Sequence, residues 1–133
     1  MSTQTITRGD TMSLDINDLG NLTGYVSIDF TVKETPNDTD ANAIIRIRLN
    51  ATGLSDGLLR FNKAAESDDT LGSITIDDLT DGDVTIALSA TRTDELTPQR
   101  NLFYDIQMIT ATVVDTLLAA RFTVQSDVTR AIV

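Results

Sequence analysis

A regular alternation of apolar and polar residues runs through residues 25–33, and it constrains the fold of this chain more than any other feature. Val26, Ile28, Phe30 and Val32 share one face of this segment, whereas the intervening Ser, Asp and Thr side chains share the other. A period of two residues is typical of a β-strand with one face on a core and one face in water. We therefore expect this segment to form a strand with one solvated face.

The same period recurs along the chain and predicts an almost entirely β structure. Residues 102–109 have apolar side chains at both ends of both faces, so we expect them to form a central strand. The abundance of Thr agrees with this, because β-branched residues suit a pleated surface. Only residues 62–69 and 91–96 suggest single helical turns. The pattern predicts further strands at residues 11–16, 45–49, 58–61, 73–76, 84–88, 111–118 and 122–124.

The chain has 133 residues, which is enough for one sizeable core, so we expect one domain spanning residues 1–133. Asp-Gly pairs at residues 56–57 and 81–82 supply turn chemistry between the predicted strands. Strands of this length, separated by short turns, favour a sandwich or a barrel. The predicted fold class is all-β, an antiparallel two-sheet immunoglobulin-like β-sandwich.

Composition restricts the chemistry that such a sandwich can perform. The chain has no His and no Cys, which excludes His-based catalytic dyads, thiolate nucleophiles and His or Cys metal ligands. The formal net charge of −10 disfavours nucleic acid and anionic membranes as partners, because both require clustered Lys and Arg. We expect no catalytic residue, no cofactor and no dedicated metal site, and composition leaves open a cation site built from Asp oxygens and a paired-carboxylate hydrolase. A carboxylate-based hydrolase is the weakest of the alternatives that the composition leaves open.

Two short motifs have a functional and an ordinary interpretation. The acidic segment 77–83 places Gly82 where an EF-hand loop has its Gly, but Leu79 and Leu88 then occupy positions that need oxygen ligands. A solvated turn is the preferred interpretation, and a looser Ca²⁺ site between loops is the alternative. Residues 8–10 spell Arg-Gly-Asp, which we interpret as a turn into a strand and, alternatively, as an adhesion motif.

Four residues outside these motifs are candidates for structural or interface roles. Arg46 and Arg48 lie on the outer face of a predicted strand, where they can pair with Asp residues of the next strand or meet an acidic patch on a neighbouring subunit. Tyr104 follows a predicted turn that contains Leu96, and in immunoglobulin-like sandwiches a Tyr at this corner bonds back to upstream backbone. We expect both Tyr104 and Leu96 to be structural.

Four motifs near the C-terminus are Tyr-Asp-Ile-Gln at 104–107, Thr-Leu-Leu at 116–118, Arg-Phe-Thr-Val at 121–124 and Asp-Val-Thr-Arg at 127–130. In these motifs the sequence resembles small β-domains of tailed bacteriophages, over most of the chain in outline and over the last 30 residues in detail. Shorter matches occur at residues 8–11 and 22–25. The resemblance is to the N-terminal module of baseplate upper proteins and to related tail- or fibre-associated proteins. Ala120 departs from the pattern, which usually has Gly before the aromatic strand.

This resemblance implies a non-enzymatic virion protein, made in the host cytoplasm, that forms homo-oligomers and docks on other virion proteins. A head decoration protein is the alternative within the same class, and a secreted carbohydrate-binding or adhesin module is the alternative from another class. The C-terminal segment is the predicted interface, because its apolar residues would otherwise be exposed on an acidic domain. A docking of this segment on the edge of its own domain is the competing interpretation. The interface residues predicted in this segment are Ser126, Asp127, Val128, Thr129, Arg130, Ala131, Ile132 and Val133.

Overall fold

A computed structural model describes residues 3–51, 57–68 and 71–126 of the chain. This part is almost entirely β, with a short 3₁₀ turn at Asp40–Asn42 and one helical turn, α1, at Ala90–Thr93. No helix in these residues is long and apolar enough to cross a bilayer. The strands are β1 (Gln4–Thr7), β2 (Met12–Ile16), β3 (Ser27–Lys33), β4 (Ile45–Asn50), β5 (Gly57–Phe61), β6 (Ala64–Asp68), β7 (Gly72–Asp78), β8 (Asp83–Leu88), β9 (Gln99–Ile109) and β10 (Val114–Gln125).

The strands form two sheets that pack face to face. The large sheet has the order β1-β10-β9-β3-β4-β5-β6, and the small sheet has the order β2-β8-β7. Every neighbouring pair is antiparallel except β1 and β10, which run parallel. The prediction of an all-β, two-sheet sandwich is confirmed. The strand at 102–109 is also internal as predicted, because β9 lies between β10 and β3.

The core lies between the sheets and is built from the inward residues of the alternating strands. Phe30, Tyr104 and Phe122 come from three neighbouring strands of the large sheet and are 2% exposed or less. Their ring centroids are 5.8–6.2 Å apart, and two of the three pairs meet edge to face. Such pairs contribute about 0.5–1.5 kcal/mol each beyond the area they bury. The alternation seen in the sequence therefore produces the hydrophobic centre of the sandwich.

Two predictions of local structure were wrong. Residues 62–69 form no helical turn: Asn62 and Lys63 have φ values of 49° and 68° and connect β5 to β6. Positive φ at both central residues is the conformation of a two-residue hairpin, and Phe61 pairs directly with Ala64 across it. The predicted strands 111–118 and 122–124 are one strand, β10, whose pairing with β9 shifts register twice.

The expectation of a solvated face on β3 was also wrong. Ser27, Asp29 and Thr31 alternate with the core residues as predicted, but each is at most 4% exposed. Long arginine side chains from the neighbouring strand β4 extend over this face and cover it. The burial of Asp29 is the starting point for the functional site.

Candidate functional site

Asp29 is the centre of a charge cluster on the outer face of the large sheet. Asp29 is fully buried, although its side chain points away from the hydrophobic core. Arg46 donates to Asp29 Oδ2 at 2.5 Å, and Arg48 donates through Nε and Nη2 to both carboxylate oxygens at 2.9 Å. Arg46 also donates to Thr31 Oγ1 at 3.3 Å. Because a buried carboxylate is stable only when it is paired, these arginines are what allows Asp29 to lie inside.

The segment after β3 is tied to this cluster through Asp40, in the 3₁₀ turn. Asp40 forms ion pairs of 2.9 Å with Lys33 and with Arg46. Burial raises the pKa of Asp40, but the two cations outweigh it and hold the pKa below its ordinary value of 3.8. The hydrogen bonds that Arg48 donates to Asp29 raise the pKa of Arg48, because they favour its charged form. The 3₁₀ turn and the buried Asp29 are therefore linked through Arg46, which contacts both Asp40 and Asp29.

A groove of about 280 Å³ lies beside this cluster, over β3, β9 and β10. Asp105 is at its floor because its two cross-strand neighbours, Thr31 and Ala119, are small. At one end, the Arg121 guanidinium lies 5.2 Å from the centroid of the Phe103 ring. This is the geometry of a cation–π contact. The groove therefore combines an aromatic surface, a cation and a carboxylate.

Asp105 differs from the other acidic residues of this face. Its side chain makes no ion pair or hydrogen bond with the residues that the structure describes, and it is partly buried. Desolvation raises the pKa of its carboxyl group, and Lys33 opposes this shift only in part. Within the described residues Arg121 likewise has no ion-pair partner. Both groups are available to a molecule that enters the groove.

The structure places Arg46 and Arg48 on the outer face, as the sequence predicts. Their guanidinium groups are directed mainly to Asp29, which lies opposite Arg48 in the register of β3 and β4. This is the cross-strand pairing that the first interpretation expected. A contact of these two arginines with a neighbouring subunit stays a prediction.

Tyr104 and Leu96 lie in the core, 2% exposed each. Burial raises the pKa of the Tyr104 hydroxyl, and a hydrogen bond with the Gln4 side chain opposes this shift. Gln4 is on β1, so the contact joins the first strand to the interior of the large sheet. The expected bond from Tyr104 to upstream backbone stays a prediction.

The predicted C-terminal interface lies almost entirely outside the described residues. Ser126 is exposed and follows directly after β10. The remaining residues of this interface, 127–133, are outside the described ranges. Their role stays a prediction.

The acidic turn between β7 and β8 brings three carboxylates together. Oxygens of Asp78, Asp81 and Asp83 lie within 4.8 Å of one another. The Asp78 carboxylate accepts from the backbone N–H groups of Thr80 and Asp81, and Asp83 accepts from that of Asp18. These bonds are those of an ordinary capped turn and account for the positions of the Asp78 and Asp83 carboxylates. A Ca²⁺ site at this turn stays the alternative prediction.

The Arg-Gly-Asp tripeptide forms the turn between β1 and β2. The Thr93 hydroxyl donates to the Asp10 carbonyl at 2.7 Å and accepts from the Gly9 N–H at 3.1 Å. Thr93 itself is fully buried in α1. The helical turn predicted at residues 91–96 is present as α1, and through Thr93 it fastens the turn between β1 and β2 to the sandwich.

Sequence reasoning did not identify Asp29, Phe103, Asp105 or Arg121 as site residues. A signal for Asp29 exists, because an acid in one strand and an Arg-x-Arg pattern in a neighbouring strand can pair if the two strands are adjacent. The groove has no such signal, since it arises from small residues that become neighbours only through the register of three strands.

Comparison with known proteins supports the fold. No protein-family model matches the chain, and no curated protein matches it. The solved structure titled "The three dimensional structure of NK cell receptor Nkp44, a triggering partner in natural cytotoxicity" is similar, with a TM-score of 0.54 and 11% sequence identity. The match covers 96% of this chain and 100% of that one. At this identity the likeness shows the fold alone, and it confirms the prediction of an immunoglobulin-like sandwich.

Proposed function

We propose that this chain is a non-enzymatic structural subunit of a tailed-bacteriophage particle, in the tail, baseplate or fibre-attachment region. It acts by associating with its own copies and by docking on other virion proteins. The resemblance of residues 104–130 to small phage β-domains gives the class of particle. The outer face of the large sheet gives the physical means of docking.

The observation that carries the proposal is the outer face of the large sheet, where Arg121 and Asp105 form no ion pair with the described residues. Ion pairs already restrain Asp29, Arg46 and Asp40 on this face, which reduces the side-chain freedom that is lost when a partner binds. Phe103 and Arg121 supply the aromatic and guanidinium groups that are enriched in protein interfaces. Asp105 supplies a carboxylate that a partner's cation can pair with.

Association in solution tests this function. We expect the chain to sediment as a ring or other closed oligomer at micromolar concentration, because several weak contacts act together in a symmetric assembly. A monomer at all concentrations that binds glycans would instead support the adhesin alternative. The position of a labelled copy within the particle separates a tail component from a head decoration protein.

The predicted C-terminal interface has its own test. Deletion of residues 126–133 should abolish assembly and leave a folded domain with an unchanged circular dichroism spectrum. A matched variant keeps the length of the chain and replaces Val128, Ile132 and Val133 by Ser. If both variants assemble like the unmodified chain, this segment is not the interface, and association must use other surfaces of the sandwich.

A further inference from the structure

Strand β10 has a neighbour on its β1 side along only part of its length. β1 pairs with residues 122–125, and within the described ranges no strand pairs with residues 114–120 on that side. We call residues 114–120 the open edge. Unpaired backbone N–H and C=O groups at the edge of a sheet are a template on which a further strand can pair. The open edge is therefore a site where an extended chain can be added to the large sheet.

The open edge carries few of the features that prevent such pairing. Charged side chains, above all Lys, and Pro are the usual protection of an exposed strand. The open edge has one charged residue, Asp115, and no Lys, Arg or Pro. The edge strands β6 and β7, by contrast, each carry two acids, and β1, which carries no charge, has only four residues. The open edge is therefore longer than β1 and less acidic than β6 or β7.

Apolar side chains lie at and beside the open edge. Val113 and Val114 are 47% and 60% exposed, more than any other large hydrophobic residue that the structure describes. Leu117 and Leu118 are half-buried and line a cleft of about 290 Å³, whose other wall includes residues 15–19. The small sheet therefore does not cover the open edge. Pairing with a second strand would remove part of this apolar surface from water.

The register of β10 determines how two open edges can meet. Thr116 and Ala119 both face outward, whereas Leu118 faces the core. A register shift against β9 leaves Leu117 as an extra residue between Thr116 and Leu118. Two copies related by a twofold axis between residues 117 and 118 would pair antiparallel, with Thr116 of one copy opposite Ala119 of the other. Outward side chains then meet outward side chains, and the irregularity lies at the axis in both copies.

We propose that two copies of this chain pair antiparallel along their open edges and join their two large sheets into one. The contact sets Asp115 of each copy opposite Ala120 of the other, so the two acids do not face one another. A second copy suits this edge, because the net charge of −10 disfavours self-association through more acidic surfaces and interface cores are depleted in charged residues. One patch used by both copies gives a closed, isologous pair.

This inference rests on the proposed function and specifies one contact of the self-association. The predicted C-terminal interface would then join such pairs into a larger assembly.

Single cysteines test the register directly, because the chain has no Cys of its own. A disulfide requires Cα atoms about 4.4–6.8 Å apart. Thr116 and Ala119 of opposite copies meet this condition in the proposed contact, whereas each lies at least about 10 Å from its own counterpart, three residues along the strand. An equimolar mixture of the Thr116→Cys and Ala119→Cys variants should therefore form a covalent dimer under mild oxidation, and neither variant alone should do so. Non-reducing electrophoresis and mass spectrometry measure the product.

Lysine substitution tests the contact by a second route. A variant with Thr116→Lys and Ala119→Lys sets like charges opposite one another twice, so it should associate at least about tenfold more weakly than the unmodified chain in sedimentation velocity. The control carries Ser73→Lys and Thr75→Lys on the exposed face of β7 and has the same net charge. It should associate at least as strongly as the unmodified chain, because it is less acidic. Circular dichroism and thermal unfolding check that both variants fold, and Thr116→Lys alone replaces the first if it does not.

Ionic strength distinguishes this contact from one built on ion pairs. Raising the ionic strength from about 0.01 M to about 0.15 M should strengthen association of the unmodified chain, because salt screens the repulsion between two acidic copies. Association that weakens as salt is added would show that ion pairs hold the copies together, and it would overturn the contact.

The outcomes separate this inference from the proposed function. Cross-linking in the cysteine mixture alone, together with weaker association of the Thr116→Lys, Ala119→Lys variant, supports the paired open edges. If the unmodified chain associates but the mixture cross-links no more than the single variants do, the contact is wrong and the proposed function stands. If the lysine variant associates normally but is lost from particles, the edge accepts a strand of another virion protein and the pairing of copies is wrong.

Two further outcomes concern the unmodified chain. If association occurs only after deletion of residues 1–3, the first residues of the same chain cover the edge, and the contact is again wrong. A chain that never associates and is absent from particles refutes the proposed function itself.

Discussion

Replacement of Asp29 by Ala is the perturbation that the structure constrains most. Asp29 is fully buried and accepts three hydrogen bonds from two arginines of β4. The substitution removes both acceptor contacts of Arg48. Arg46 keeps Asp40 and Thr31 as partners. The Arg48 guanidinium therefore loses its Asp29 partner, and the Arg46 guanidinium loses one of its three partners.

The expected loss in the free energy of unfolding depends on how deeply the two remaining arginine side chains are buried. Removing one member of a buried ion pair costs about 3–5 kcal/mol, because a charge stays buried without compensation. The Arg48 side chain is 26% exposed and can turn toward water, whereas that of Arg46 is 11% exposed. We therefore expect Asp29→Ala to lower the free energy of unfolding by about 3 kcal/mol, near the lower end of that range. For a chain of this size the melting temperature should fall by about 10 °C.

Urea denaturation followed by circular dichroism measures this change. The control is Asp15→Ala, an exposed acid on the small sheet, which should change the free energy of unfolding by no more than about 0.5 kcal/mol. A triple variant with Asp29→Leu, Arg46→Met and Arg48→Leu should recover much of the loss, because a buried ion cluster is replaceable by apolar packing. A loss below about 1 kcal/mol for Asp29→Ala would refute the view that this cluster holds the outer face.

Three further predictions concern other parts of the sandwich. Gly82→Ala should lower the free energy of unfolding by at least about 2 kcal/mol, because φ is +78° and the added Cβ would lie 2.5 Å from Gly20 N and nearer to the Gly20 carbonyl oxygen. Gly24→Ala has a similar φ of +89° with nothing within 4 Å, so an equal loss for both in urea denaturation would contradict the steric argument. Thr93→Val should cost about 1–3 kcal/mol in thermal unfolding, because the buried hydroxyl accepts from the Gly9 N–H and donates its one proton to the Asp10 or Ala90 carbonyl, and a neutral result would show that the first turn is fastened elsewhere. Asp105→Asn should stabilise the fold at about pH 7, since the pKa of Asp105 is raised above 3.8 and its ionised form opposes folding. This gain should decline as the pH falls below the folded pKa and should vanish below the ordinary value of 3.8, and a gain that is independent of pH would contradict the desolvation of Asp105.

The period-two pattern located the core strands well because burial there depends on local alternation. Ile28, Phe30 and Val32 are each fully buried, as their spacing predicts, whereas Val26, which was expected on the same face, precedes β3 and is 37% exposed. Strand β1, by contrast, has Ile6 as its single large apolar residue, and no local pattern marks it. It is a strand because it pairs in parallel with β10, a contact that joins opposite ends of the chain.

The site was less predictable because it depends on which strands become neighbours. Asp29 occupies a position that alternation alone assigns to solvent, and it is buried only because β4 presents Arg46 and Arg48 opposite it. Asp105 lies on the floor of a groove only because β3 and β10 place Thr31 and Ala119 beside it. Spacing within one strand carries no information about these cross-strand neighbours.

We propose this chain as a building block of a phage particle, and electron microscopy of purified particles labelled on the chain tests that role most directly. We expect label at a defined position of the tail, baseplate or fibre-attachment region, with several symmetry-related copies per particle. Particles without label, alongside a soluble monomeric chain in the same lysate, would contradict it.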